Sequence, residues 1–321
     1  MKLNRILGLA AAILASCATS PVVRSQDRST TAGAAEPAPP PLQPEAASRS
    51  TAPRSDVASI RARLQDGSEV RVAGAVIQRY NFTEGAASVE AVVVRSDSAD
   101  AVPGLMLIPG YSRTAYDMLP IALHFARAGF ATVSVTQPGF GQSSGPSDFV
   151  GPRTFAALAA AARRFSVEPY VDASRLGVYG YSRGALAAAQ LATRTDLFRA
   201  AVLGGGIYDF AAAYSQISLP GIRANMMQET GMQADAVRFR SPIHDVEGLD
   251  GPVLIIHGTN DVNAPPEQAR ALARRLVAAG RMHDLILLPG KDHSLSVSDI
   301  VPAAVAFLRR HLAADPAVRR R

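Results

Sequence analysis

Tryptophan is absent from this 321-residue chain, and aromatic residues make up only 6% of it. None of those aromatics is interleaved with a basic patch, so the chain offers no stacking platform for bases and nucleic acid is not an expected partner. Cysteine occurs once, at Cys17, which excludes an intramolecular disulfide. The apolar stretch at residues 6–14 is too short to span a bilayer by itself. Histidine, cysteine and carboxylate residues never fall in a convincing metal-ligand spacing, so no metal is implied. The glycine-bearing stretch QPGFGQSSG (137–145) lacks both a dinucleotide fingerprint and the lysine-serine pair of a phosphate loop. It reads as a connector near a site, and no cofactor is expected.

What is present begins with Lys2 and Arg5 ahead of the short apolar stretch, followed by LASC at 14–17. This resembles a bacterial lipobox, in which the cysteine is diacylated and becomes the first residue of a mature lipoprotein. The resemblance implies a signal peptide over 1–16, lipid attachment at Cys17, and a lipid bilayer of the cell envelope as partner. Ala18, rather than Asp, favours the outer membrane by the same resemblance. The alternative is an ordinary secretory signal with an incidental cysteine, giving a secreted or periplasmic protein. Residues 17–56 are rich in Pro, Ala, Ser and Thr without a sustained hydrophobic period, and cannot bury enough apolar surface to offset their ordering entropy. They are expected to form a disordered tether. The terminal Arg319, Arg320 and Arg321 read as a solvated basic tail.

The folded part is expected over 57–321. Residues 60–64 and 70–77 flank Asp66-Gly67 as a hairpin, and 89–94 follows a turn at Gly85, giving antiparallel strands at the start of a larger sheet. Strand-like runs at 104–108, 130–135, 171–179, 200–203, 252–256 and 285–288 then alternate with helical patterns at 115–128, 155–165, 266–279 and 301–311. Pro302 is tolerable in the first turn of the last of these. Such alternation predicts an α/β fold: a mostly parallel central sheet with helices on both faces. Residues 208–247 lack clean sheet alternation and suit a helical insertion or lid.

The stretch LGVYGYSRGALAAAQ (176–190) places strand, sharp turn and helix in succession. Ser182, between Gly180 and Gly184, can sit on a strained turn with its Oγ exposed, while the helix start points unpaired N–H groups toward an oxyanion. A plain helix-capping serine is the alternative. Ser182, Asp261 and His293 each fall just beyond a separate predicted strand, and the carboxyl edges of an open parallel sheet share one face. A serine hydroxyl needs a base at neutral pH, and a histidine base needs an acid to fix its tautomer. His257 at a strand end suits packing or local hydrogen bonding, and Asp292 is adjacent to His293 and expected to point away from it. His124, His244, His283 and His311 read as surface or capping residues. Arg113 and Arg183 lie near the expected pocket, where each suits either a substrate carboxylate or a structural role.

From about Ala101 onward the chain resembles the α/β-hydrolase superfamily, and within it the prolyl-oligopeptidase-like and dipeptidyl-peptidase-like serine hydrolases. The phrases that carry this are VDASRLGVYGYSRG (171–184), SPIHDVEGLDGPVLIIHGTND (241–261), PPEQARALARRL (265–276) and PGKDHS (289–294). The resemblance implies an α/β-hydrolase fold with Ser182 as nucleophile, Asp261 as acid and His293 as base, and the backbone N–H groups of Tyr111 and Arg183 as oxyanion donors. It departs from the peptidases where Ala185 follows Gly184 and where the strand-end loop lacks a His-Gly-Gly run. No room is expected for the β-propeller that restricts oligopeptidases to small peptides. The expected activity is hydrolysis of carboxylic esters through an acyl-enzyme, on a small-molecule ester or a short peptide. An aminopeptidase or oligopeptidase is the alternative, and a catalytically silent binding lipoprotein is the least favoured.

Overall fold

A computed structural model of the protein describes residues 54–313, apart from Gln65, Asp66, Ala73 and Ala99. Cys17, the expected leader, the tether up to residue 53, Asp66 and the arginine tail lie outside the described residues. Helix α1 (Arg54–Arg63) begins inside the segment expected as tether, ahead of the domain start expected at Val57. It also replaces the strand expected at 60–64. Ile60 and Leu64 are four residues apart and both buried, and Leu64 N–H donates to Ile60 O at 3.1 Å. That spacing serves one side of a helix, whereas a strand would have put both on one face only by alternation.

The expected strand at 70–77 is broken at Gly74, whose φ of +80° turns the chain back. Its halves belong to β1 (Glu69–Val72) and β2 (Ala75–Glu84), which pair antiparallel with each other, and β2 pairs antiparallel with β3 (Ala87–Ser96). Gly67 therefore lies outside the hairpin turn, its N–H donating to Arg79 O at 2.9 Å. β4 (Val102–Ile108) is followed by a 3₁₀ turn at Ala115–Met118 and then α2 (Leu119–Arg127), with Pro120 in its first turn, where a missing N–H costs nothing. β5 (Ala131–Val135), α3 (Pro152–Ser166), β6 (Val171–Tyr181), α4 (Arg183–Arg194) and β7 (Ala200–Gly204) continue the alternation.

Residues 208–247 are helical, with α5 (Phe210–Gln216), α6 (Pro220–Thr230) and α7 (Ala234–Phe239). β8 (Val253–Gly258), α8 (Glu267–Ala278), β9 (His283–Leu288) and α9 (Val297–His311) complete the described chain. α9 starts earlier than expected because Ser296 caps it: its side chain accepts from Asp299 N–H while the Asp299 carboxylate accepts from Ser296 N–H. Pro302 consequently lies in the helix interior, not its first turn, and leaves Ser298 O without the usual intrahelical donor.

Among the described residues the sheet has nine strands in the order β1-β2-β3-β5-β4-β6-β7-β8-β9, parallel from β5 through β9. α1, α2 and α9 share one apolar core with one face, and α3, α4, α5 and α8 share the other. The helices thus cover both faces, as the apolar strands of a mostly parallel sheet require. Strand order reverses at β4, so the connections leaving β4 and β6 run to opposite faces of the sheet, the point at which open α/β sheets place their ligands.

The helical segment at 208–247 is stapled to the loop ahead of α3. The buried Arg240 guanidinium donates to Phe149 O, Asp148 O and Ala236 O, while Phe149 and Val150 hold φ values of +42° and +58°. Two consecutive left-handed non-glycine residues are strained, and persist only where their surroundings over-determine them. Asp148 adds to this by accepting from the N–H groups of Gly151, Arg153 and Thr154 at the start of α3.

α4 comes down on the sheet without clearance. A Cβ on Gly180 would lie 2.1 Å from Gly184 O, and one on Gly184 would lie 2.1 Å from Ile108 O. Gly184→Ala is expected to cost roughly 2–4 kcal/mol, lowering Tm by on the order of 5–15 °C. A thermal melt of the variant within about 2 °C of wild type would show that α4 can lift off β4 freely.

Candidate active site

Ser182 stands between β6 and α4 with φ +55° and ψ −125°, a backbone conformation that serine adopts only under constraint. Its N–H donates to Gly204 O at 2.8 Å, which ties the turn to the neighbouring strand end. Asp261 follows β8 and His293 follows β9, so all three residues lie beyond the carboxyl ends of parallel strands.

The structure brings them into one hydrogen-bonded chain. His293 Nε2 lies 2.8 Å from Ser182 Oγ, and His293 Nδ1 lies 2.7 Å from Asp261 Oδ2. Asp261 Oδ1 accepts from Asn263 N–H at 2.9 Å and Ala264 N–H at 2.8 Å. Burial pushes the Asp261 carboxyl up, but His257, His293 and the Ala264 N–H outweigh it and hold it at about 2. An ionised carboxylate can only accept, so the proton on His293 sits at Nδ1 and leaves Nε2 to accept from the serine hydroxyl. This is the arrangement in which a serine can transfer its proton as it attacks. Asp292 instead accepts from Ser294 N–H at 2.8 Å.

Three further side chains, Tyr181, His257 and Glu90, hold the site from around it. Tyr181, the residue before Ser182, donates its hydroxyl to His293 O and accepts from Leu295 N–H at 3.2 Å. Its ring lies 5.6 Å from the imidazole, so the end of β6 directly props the loop that carries His293. His257 is fully buried with Nε2 2.7 Å from Ala264 O and 3.3 Å from Asp261 Oδ2. Since a carbonyl can only accept, that nitrogen bears the proton, and the buried Nδ1 is left without a hydrogen-bond partner. Glu90, 1% exposed in β3, accepts from Thr136 Oγ1, which in turn accepts from Ala115 N–H. Through this chain one buried carboxylate fixes both the loop after β4 and the loop after β5. The local hydrogen bonding of His257 follows the expectation from its strand-end position, whereas a tyrosine inside the motif was the only signal for Tyr181, and the partners of Glu90 require the three-dimensional register.

Tyr111 lies in the turn after β4, beside the elbow: a Cβ on Gly110 would be 3.3 Å from Ser182 Cβ. Gln137 Nε2 donates to Pro109 O at 2.8 Å and Arg113 N–H to Gly110 O at 3.3 Å, shaping that turn. Phe140, from the glycine-bearing connector, meets the Tyr111 ring edge-on at 5.4 Å. The Arg183 side chain is buried and forks onto Glu229 of α6 at 3.1 and 3.2 Å, so its guanidinium is occupied by a protein carboxylate. Of the two roles open to it in the sequence, the structural one is what the geometry holds. Arg113 is partly exposed, 3.8 Å from Asp117. Among the other histidines, His124 and His244 are exposed, His283 Nδ1 meets Arg281 O at 3.1 Å, and His311 packs on Phe307.

The profile of the prolyl oligopeptidase family matches residues 147–314, just over half of the sequence. The chain belongs to the prolyl oligopeptidase family. The matched span takes in Ser182, Asp261 and His293. Among curated relatives in this family, the uncharacterized peptidase YuxL of Bacillus subtilis is 30% identical over 131 residues, covering 40% of this chain and 20% of that protein. Dipeptidyl-peptidase 5 of Porphyromonas gingivalis is 27% identical over 164 residues, covering 49% of this chain and 24% of that one. This family member therefore spans a quarter or less of the length of either. Among solved structures, a Mycobacterium tuberculosis puromycin-hydrolyzing peptidase superposes with a TM-score of 0.67 at 19% identity, over 77% of this chain and 41% of that one. Acetyl xylan esterase 1 from Thermoanaerobacterium sp. JW/SL YS485 gives the same TM-score at 18% identity, over 78% and 87% respectively. At these identities the superpositions show the fold.

The folded Asp261 carboxyl titrates below its ordinary value of 3.8, so its contribution to stability is complete above about pH 4 and is lost as pH falls toward about 2. The shift corresponds to roughly 2 kcal/mol. Urea unfolding between pH 5 and pH 2 is expected to show Asp261→Asn losing about that much less stability than wild type. Parallel curves for the two proteins would mean that the carboxylate is not held ionised by its neighbours.

Proposed function

We propose that this family member is a serine hydrolase that cleaves carboxylic esters through an acyl-enzyme on Ser182, with His293 as general base and acid and Asp261 as its orienting carboxylate. The observation that carries the reading is the continuous hydrogen-bonded chain from Ser182 Oγ through both imidazole nitrogens to Asp261, set on a strained turn. Ser182 Oγ adds to the ester carbonyl as its proton passes to His293 Nε2. The negative charge moves onto the carbonyl oxygen, which the N–H groups of Arg183 and Tyr111 receive. As the tetrahedral adduct collapses, His293 returns the proton to the departing alkoxide, and an alcohol leaves with Ser182 acylated. Water then repeats the sequence, with His293 taking its proton and giving it back to Ser182 Oγ. Arg113, partly exposed beside this turn, is the side chain proposed to meet the substrate.

One feature of the site supports an ester over a peptide: Glu229, the acid that α6 brings to the elbow, is already bound to Arg183, Ser147 and Phe149 N–H, and so is not free to receive a peptide's amino terminus. The peptidase names of the relatives keep an aminopeptidase or oligopeptidase as the competing reading. For location, the lipobox-like LASC supports a lipoprotein held in the bacterial envelope, at the outer membrane, by an acylated Cys17.

Initial rates on p-nitrophenyl esters of increasing acyl length and on aminoacyl p-nitroanilides test the chemistry. Ester turnover is expected, falling by at least about 10⁴-fold in Ser182→Ala. Anilide turnover without ester preference would replace the esterase reading by the peptidase one. For the anchor, an alkyne-palmitate label is expected on the wild-type protein in a bacterial host and absent from Cys17→Ser, which should fractionate as soluble. Equal labelling of both proteins would refute lipidation at Cys17.

A further inference from the structure

The two residues proposed as oxyanion donors, Tyr111 and Arg183, also meet through their side chains. The Arg183 guanidinium lies 5.7 Å from the Tyr111 ring centroid, 5.2 Å from that of Phe140 and 4.6 Å from that of Phe149. A cation over an aromatic face is attracted by the ring quadrupole, most strongly where water is excluded, and the Arg183 side chain is only 3% exposed. Such a charge cannot remain buried without a counter-charge, and Glu229 supplies it. The Glu229 carboxylate accepts from both Arg183 terminal nitrogens, from Ser147 Oγ and from Phe149 N–H at 2.6 Å. Ser147 Oγ also accepts from Arg183 at 2.8 Å. Helix α6 of the insertion is thereby joined to the residue directly after Ser182.

We propose that Glu229 is a positioning residue for the oxyanion hole: it holds the Arg183 guanidinium against Tyr111, and so fixes the spacing of the two backbone N–H groups. The proposal rests on Tyr111 and Arg183 being the oxyanion donors. Stabilisation by such donors depends on their being placed before charge develops, since removing one costs on the order of 10²–10³-fold in rate. A displacement of a few tenths of an ångström costs less than removal, so about a 10-fold loss is expected. The brace runs through other groups than the triad: the Glu229 carboxylate is taken up by Arg183, Ser147 and Phe149, while His293 joins Asp261 to Ser182.

The test is the second-order rate at which a fluorophosphonate labels Ser182, measured from pH 5 to pH 9 on the whole chain. This readout is independent of whether the natural substrate is an ester or a peptide. Glu229→Gln keeps the shape and removes the charge; it is expected to label about 10-fold more slowly at every pH, with the midpoint of the pH profile unmoved. With any substrate that the wild type turns over, the same variant is expected to lose kcat while KM holds. A folded Glu229→Gln protein labelling within about two-fold of wild type would overturn the proposal, as would a loss that comes with a shifted midpoint, since that would place the effect on His293. Should Glu229→Gln fail to give a cooperative melt, Arg183→Lys is judged by the same two criteria, because lysine keeps the charge but not the fork. Failure of the wild type to label at Ser182 would instead sink the hydrolase mechanism on which this inference stands.

Discussion

The contact on which the site depends is the one between the start of α4 and the carbonyl of Ile108. There is no space for a side chain at either glycine flanking Ser182, so helix and strands meet backbone to backbone. That approach forces the chain to turn within one residue, and Ser182 takes the strained φ and ψ that result. Strain of this kind costs about 1–3 kcal/mol. It is outweighed by the helix that follows, in which Leu186 and Leu191 are fully buried, each contributing roughly 1.5–3 kcal/mol. The alanines between them matter for their size, because larger side chains would hold the helix away from the sheet.

The buried charges around this contact divide into two kinds of work. Asp261 has donors on both oxygens, two from its own loop on one and His257 and His293 on the other, which keeps it ionised in a place where burial alone would neutralise it. Glu90 and the Arg183–Glu229 pair bear on loops, since each fixes backbone segments that approach Ser182 from a different side. A buried ion pair contributes little net stability over an apolar one of equal volume, because desolvation offsets most of the attraction. What these pairs supply here is definition of position, at points where the chain is irregular and a hydrophobic contact would tolerate sliding.

Much of the fold and of the site's geometry was legible in the sequence, for reasons that differ by residue. The parallel strands read as short apolar runs because both faces are covered, and the turn at Ser182 is local, needing only the two glycines and the strand and helix beside them. Asp261 and His293 could be placed because each directly follows such a run, and the topology of a parallel sheet then brings strand ends together. The strand expected at 60–64 was misread because the run is too short to separate a period of two from one of nearly four. Pro302 was misplaced because the helix start is set by the Ser296–Asp299 capping pair, upstream of the apolar pattern. Tyr181 and Glu229 were missed for a different reason: each acts on a residue more than forty positions away, and nothing in their local sequence reports the partner.

The loop at 147–150 and the helices at 208–247 are far apart in sequence but share one set of restraints. Arg240 reads the carbonyls of Asp148 and Phe149, while Glu229 accepts from the Phe149 N–H and the Ser147 hydroxyl, so the loop's left-handed residues are held from the far segment. The two segments therefore form a single unit of inheritance. An insertion recombined from a relative, or trimmed by an engineer, would arrive without the backbone it was fitted to unless residues 147–150 travelled with it. Variation in this part of the molecule is accordingly expected to be paired, with both stretches changing together or neither.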